Sequence, residues 1–119
     1  MGRKRGKQIT LLLLLLLCLL MTINQPVYAS ESSKNEVVAA KIFEINCAGC
    51  HLNGSNIIRR GKNLKINTLK KYQMDLIAAI TEIVTNGKNN MSAYKDKLTA
   101  VEIQDVAKYV LQQAENNWK

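Results

Sequence analysis

Cys47-Ala48-Gly49-Cys50-His51 constrains this chain more than any other feature of its 119 residues. Two thiols at this spacing, followed at once by an imidazole, form the C-x-x-C-H signature for attachment of a c-type haem. The spacing lets both thiols reach vinyl groups on one edge of the macrocycle and form thioethers. It also holds His51 under the iron as one axial ligand. Other uses of these residues fit less well. A thioredoxin-like pair opens a helix after a strand in a βαβ pattern, and no such pattern surrounds Cys47. A four-ligand zinc site needs a second Cys or His pair. The chain has a single histidine and one further cysteine, Cys18. The expected cofactor is one covalently bound haem c per chain.

Residues 1–29 read as an export signal. Arg3, Lys4, Arg5 and Lys7 form a positive start, and Leu11 to Met21 is almost continuously apolar. Pro26-Val27-Tyr28-Ala29 then offers a peptidase site, with cleavage expected after Ala29. The apolar run is shorter than the ~20 residues that span a bilayer, so a retained anchor is the weaker alternative. Bulky Leu17 stands where a lipoprotein site needs a small residue, which leaves Cys18 as an apolar member of the run. Arg3 and Arg5 are not adjacent, which gives little support to a twin-arginine signal. Thioether attachment takes place on the far side of an energy-transducing membrane, so leader and C-x-x-C-H agree.

Residues 30–119 then form one small domain. A domain of this size buries a limited fraction of its surface, and a covalently held haem would act as staple and core. The full chain carries 17 basic and 9 acidic residues, formally +8; four of the bases lie in the leader, so the domain is 13 against 9, or +4. That excess is too modest to propose nucleic acid as a partner, and no aromatic-interleaved basic motif supports one. No stable membrane insertion is expected after cleavage, and a monomer is the default for a small shuttle.

The pattern is helical, without strand alternation or internal repeat. Asn35 to Asn46 sets Val37, Val38, Ile42 and Ile45 at helical spacing, flanked by Ala39 and Phe43, and runs straight into Cys47. After a polar loop, a short helix is expected over Asn67 to Tyr72. Another should run from about Asp75 to Thr85, with Leu76, Ile77, Ile80, Ile83 and Val84 on its apolar side and Asn86-Gly87 as its C-cap. Thr99-Ala100-Val101-Glu102 is a capping box, and Val101, Val106, Tyr109, Val110 and Ala114 mark the buried face of the helix it opens.

A low-spin electron-transfer haem needs a second axial ligand. With no second histidine, a methionine thioether is the common alternative, and it raises the potential. Residues 30–119 hold only Met74 and Met91. Met74 stands at a helix entrance, where apolar packing is the ordinary role. Met91 lies in the loop Gly87-Lys88-Asn89-Asn90-Met91-Ser92-Ala93-Tyr94, which can bring sulfur across to the iron, and it is the candidate ligand.

With these residues in place, the chain resembles cytochrome c6 (cytochrome c553), the small class I c-type cytochrome of cyanobacteria and algal plastids. The likeness covers nearly all of residues 30–119. Beyond the C-x-x-C-H it rests on Asn86-Gly87-Lys88-Asn89-Asn90-Met91 and on Glu102-Ile103-Gln104-Asp105-Val106-Ala107-Lys108-Tyr109-Val110-Leu111, followed by Gln113-Ala114-Glu115 and Trp118. The resemblance implies an all-α class I cytochrome c fold, three to four helices around one covalently attached haem. It implies thioethers from Cys47 and Cys50 and axial His51 and Met91. It also implies residence in the thylakoid lumen, with a periplasm-like compartment as alternative, and electron transfer between cytochrome b6f and photosystem I. Asn56 and Lys62 match positions near the haem, Lys62 close to a propionate.

Three departures bear on the detailed role. Ser92 follows Met91 where the family usually has Pro. Lys97 stands where an Arg implicated in photosystem I docking is usual, and lysine lacks the planar fork. Ile83 stands where Gln is usual, four residues before the Gly. A branched aliphatic there is similar to divergent cytochrome c6-like branches of lower potential. Ile83 is thus a candidate for tuning the potential through hydrogen bonding or ligand orientation, or one more core residue. Arg59 and Arg60 form either a docking patch or a solvated loop.

The reading is a one-electron carrier, not an enzyme. Lys95 and Lys97 would orient it on an acidic partner face, an effect that salt weakens. The alternatives are a haem-based sensor or weak peroxidase with a labile distal ligand, and a low-potential c6-like carrier with another partner. No distal His or Arg acid–base pair supports peroxidase chemistry.

Overall fold

Helices account for all the extended regular structure among the described residues, 2–22 and 28–119 of a computed structural model, in keeping with the expected all-α class. The chain divides into two units, Met1–Glu31 and Ser32–Lys119. In the first, α1 (Gly2–Thr22) carries the basic start and the apolar run on one helix, with Leu11 to Leu17 exposed. No helix among the described residues is long and apolar enough to cross a membrane. Of the expected cleavage site, Pro26 and Val27 lie outside the described residues, and Tyr28 and Ala29 open α2 (Tyr28–Asn46).

The second unit takes in the rest of α2, then the one-turn α3 (Ala48–His51), 3-10 turns over Leu52–Gly54 and Arg60–Lys62, α4 (Ile66–Lys71), α5 (Ile77–Asn86) and α6 (Ala100–Glu115). The Thr99 capping box closes as expected: Glu102 N–H donates to Thr99 Oγ1, and Thr99 N–H donates to the Glu102 carboxylate. Two orphan amides at the start of α6 are satisfied in this way. At the other kind of end, Gly87 (φ 69°) stops α5, its N–H donating to Ile83 C=O. Only glycine takes that backbone without strain. Asp75 falls outside α5, because Leu76 is still extended (φ −121°, ψ 137°) and serves as the N-cap.

The core joins Phe43 of α2, Ile80 and Val84 of α5, and Ile103, Val106, Ala107 and Val110 of α6. On α6 these positions recur at the three- and four-residue steps of one helical face. Val101 does not belong to that face and is 67% exposed. The expected stripe on α2 is also corrected. Val37, Val38 and Ile45 are exposed, and the buried positions are Ala39 and Phe43, one turn apart. Phe43 stacks at tilted angles on Tyr109 (5.5 Å between centroids) and Trp118 (5.2 Å), so this aromatic anchors the helix, with Ile42 packed half-buried beside the core. Leu76 is likewise exposed.

Candidate functional site

The end of α2 delivers the first cysteine. Cys47 N–H donates to Phe43 C=O, continuing the helical ladder, while Cys47 C=O accepts from both Cys50 N–H (3.1 Å) and His51 N–H (2.9 Å). That one carbonyl closes α3 and brings Cys47, Cys50 and His51 to the wall of a single cavity of about 640 Å³. A site of this size suits a whole cofactor. Phe43, Leu64, Leu69, Ile80, Val84 and Val106 give it apolar walls, and Met91 lines it too.

The imidazole is oriented by the chain. His51 Nδ1 lies 2.9 Å from Ser55 C=O. A carbonyl only accepts, so Nδ1 carries the proton and Nε2 keeps its lone pair for a metal. No disulfide joins Cys47 to Cys50. Before any attachment, burial first and Cys50 second push the Cys47 thiol up to about 11. Among the described residues no group of three or more His, Cys, Asp or Glu side chains forms a metal-binding cluster. The donor set suits instead a covalently held, largely apolar group whose iron needs one nitrogen and one sulfur.

The loop of Met91 is a tight turn. Lys88 N–H donates to Met91 C=O and Met91 N–H to Lys88 C=O, both at 3.0 Å, with Asn89 at φ 55°. Gly87 makes it fit: a Cβ there would meet Met91 C=O at 2.6 Å and Ala93 N at 2.7 Å. Met74 reaches the same cavity from the end of α4, so both methionines of the domain line it.

The other expected residues divide. Asn56, Lys62 and Ile83 line the cavity; Lys95 and Lys97 do not, and lie exposed just beyond the Met91 turn. Asn56 organises its loop: Oδ1 accepts from Ile58 N–H and Arg59 N–H, and Nδ2 donates to Lys62 C=O. The Lys62 ammonium sits 3.1 Å above the centre of the Tyr72 ring. Arg59, Lys62 and Lys88 line the cavity, and among the described residues no Asp or Glu does. Tyr72 and Tyr94 are cavity residues that the sequence did not single out, because neither belongs to an apolar period or a motif.

The family model described as "Cytochrome C oxidase, cbb3-type, subunit III" matches residues 37–110. A "Cytochrome c6-like" protein of Nostoc sp. (strain PCC 7120 / SAG 25.82 / UTEX 2576) is 58% identical over 113 residues, covering 95% of this chain and 98% of that protein. The crystal structure of cytochrome c6B from Synechococcus sp. WH8102 superposes with a TM-score of 0.66 at 50% identity, over 69% of this chain and 93% of that one. Cytochrome c6C from Synechococcus sp. PCC 7002 gives 0.65 at 57% identity, over 66% and 96%.

Proposed function

Because this chain belongs to the cytochrome c6-like family of monohaem c-type electron carriers, we propose that it passes single electrons from cytochrome b6f to photosystem I. In this reading Cys47 and Cys50 hold the haem as thioethers, and His51 and Met91 are its axial ligands. The protein is an electron carrier and not an enzyme, with one covalent haem c. When bound, the haem supplies a one-electron ferric/ferrous couple; the chain binds it, orients its ligands and limits water around it.

The observation that carries the reading is the His51–Ser55 hydrogen bond within a cavity shared with Cys47, Cys50 and Met91. It fixes the tautomer that leaves Nε2 free, so the ring needs no rearrangement when the iron changes charge. Met91 is preferred to Met74 because its backbone is locked by the reciprocal bonds to Lys88, whereas Met74 follows α4 with its N–H on Leu69 C=O. Arg59, Lys62 and Lys88 suit the carboxylates of two propionates, and Asn56 holds Lys62 in place through its backbone. Lys95 and Lys97 are exposed beside the Met91 turn, where cations would orient the carrier on an acidic partner face. Residues 1–29 are the export leader, and the thylakoid lumen or a periplasm-like compartment is the destination.

Flash-induced reduction of photosystem I by the purified holoprotein tests this function. The rate should fall as ionic strength rises and fall again in Lys97→Glu. No reduction, or a rate indifferent to salt, would reject the partnership. Met91→Ala should abolish the sulfur-to-iron absorption band and Met74→Ala should keep it; the reverse would reassign the ligand.

A further inference from the structure

The turn that carries Met91 is held by the residue just beyond it. Tyr94 N–H donates to Val84 C=O near the end of α5 (3.0 Å), and Tyr94 C=O accepts from Lys97 N–H and Leu98 N–H, both at 2.9 Å. Its side chain then reaches across the cavity wall, the hydroxyl donating to Asn46 C=O at 2.8 Å. Among the described residues this is the one side-chain hydrogen bond between the Met91 segment and the segment that carries Cys47. Forty-eight positions of sequence separate its two ends.

The acceptor is well chosen by the local geometry. Asn46 ends α2, and the last carbonyls of a helix have no partner within it. The amides that could have turned back, Cys50 N–H and His51 N–H, both go to Cys47 C=O. Asn46 C=O is therefore left for Tyr94. Tyr94, Asn46 and Met91 all line the same cavity, and the phenol is half-buried. A hydrogen bond sheltered in this way resists exchange with water better than one at the surface.

We propose that Tyr94 is the positioning residue for the methionine side of the site. Its hydroxyl latches the Met91 turn to the end of α2, so that the sulfur and the Cys47 attachment point move as one body. The inference rests on Met91 being the axial ligand. A turn held only by the backbone bonds to Val84 and Thr85 could swing the thioether away; the latch to Asn46 opposes that motion and sets how readily another ligand takes its place.

The test is the rate at which imidazole displaces methionine from the ferric holoprotein, read from loss of the sulfur-to-iron absorption band. Tyr94→Phe removes the hydroxyl and keeps the ring. The displacement rate should rise roughly 2–12-fold, the range for a neutral hydrogen bond of about 0.5–1.5 kcal/mol. Amide hydrogen exchange at Lys88 and Met91 should accelerate with it. Thr99→Ala, which removes the capping box of α6, is the control for stability alone: it should lower the melting temperature and leave the displacement rate unchanged. A wild-type rate in Tyr94→Phe, or equal acceleration in Thr99→Ala, would overturn the latch. If Met91→Ala keeps the band, the ligand assignment fails and the latch with it. If Met91→Ala loses the band while Tyr94→Phe exchanges like wild type, the ligand stands and the latch alone fails.

Discussion

Substituting Gly54 by alanine should destabilise the holoprotein through a partner 64 positions away, Trp118. Gly54 is buried at φ 71° in the turn that follows His51. A Cβ there would overlap the Trp118 indole at Nε1 and Cδ1 and come within 2.6 Å of Cε2. The indole has little freedom to retreat. Its N–H donates to Leu64 C=O at 3.0 Å, and its ring packs on Phe43 at 5.2 Å and edge-on against Tyr109 at 6.4 Å. Leu64 N–H in turn donates to Gly54 C=O at 2.7 Å, closing a ring of three contacts.

Three costs follow. Left-handed backbone for a non-glycine residue costs about 1–2 kcal/mol. Displacing the indole leaves Leu64 C=O without its partner, at about 1–3 kcal/mol. Each of two aromatic pairs contributes roughly 0.5–1.5 kcal/mol. Gly54→Ala should therefore cost at least about 3 kcal/mol, a large share of the 5–15 kcal/mol typical of a domain. In a Trp118→Ala background only the backbone strain remains, near 1–2 kcal/mol. Guanidinium unfolding of the wild type, both single variants and the double variant gives the coupling directly. It should reach about 2 kcal/mol. A coupling below about 0.5 kcal/mol, the range for independent sites, would refute the reasoning.

Two further outcomes follow from polar contacts. Glu102 is held below its ordinary value near 4.5, first by the Thr99 backbone N–H and second by the Thr99 hydroxyl. A carboxyl depressed by folding stabilises above its unfolded value and loses that contribution as pH falls through the folded one. Glu102→Gln should therefore melt lower than wild type at pH 7, and the gap should close as pH falls below 4.5 and through the folded value; a gap constant with pH would count against it. Asn56→Ala removes three loop bonds at once. Amide exchange at Ile58 and Arg59 should speed up by roughly tenfold or more, at about 1 kcal/mol per bond, while exchange in α6 stays unchanged.

What could be read from the sequence was local. The C-x-x-C-H, the Thr99–Glu102 box and the Gly87 stop each lie within five residues, and short-range geometry decides them. The helices followed from period and caps, with α4 and α5 shifted by a residue or two where Leu76 stays extended. The face of α2 was misjudged because a helical period is satisfied by Val37, Val38 and Ile45 whether or not anything covers them. Phe43 meets Tyr109 and Trp118, and that long-range choice is invisible in a window of eleven residues. The Tyr94–Asn46 bond and the Gly54–Leu64–Trp118 ring were hidden for the same reason. Met74 also reached the cavity, although its place at a helix entrance suggested packing alone; its arrival depends on where α4 ends against the rest of the domain.

Core and cofactor site are one hydrophobic body in this domain. Phe43, Ile80, Val84, Val106 and Val110 belong to the core cluster and also line the cavity. Each packs on its core neighbours and also borders the cavity proposed to hold the haem. Without that group, the apolar walls would face water, and a domain this small has little other core to offset the loss. A dissociable cofactor would make folding depend on its concentration. Covalent attachment removes that dependence, because a ligand joined to the chain is always present at high effective concentration. On the proposed ligand set, the two cysteines would make the cofactor a permanent part of the core, and His51 and Met91 would set how it exchanges its electron. The same reasoning explains why the cysteines stand at the end of α2. Phe43, one turn before Cys47, is where the helix enters the core, so the proposed point of attachment and the point of packing are fixed by the same turn of backbone.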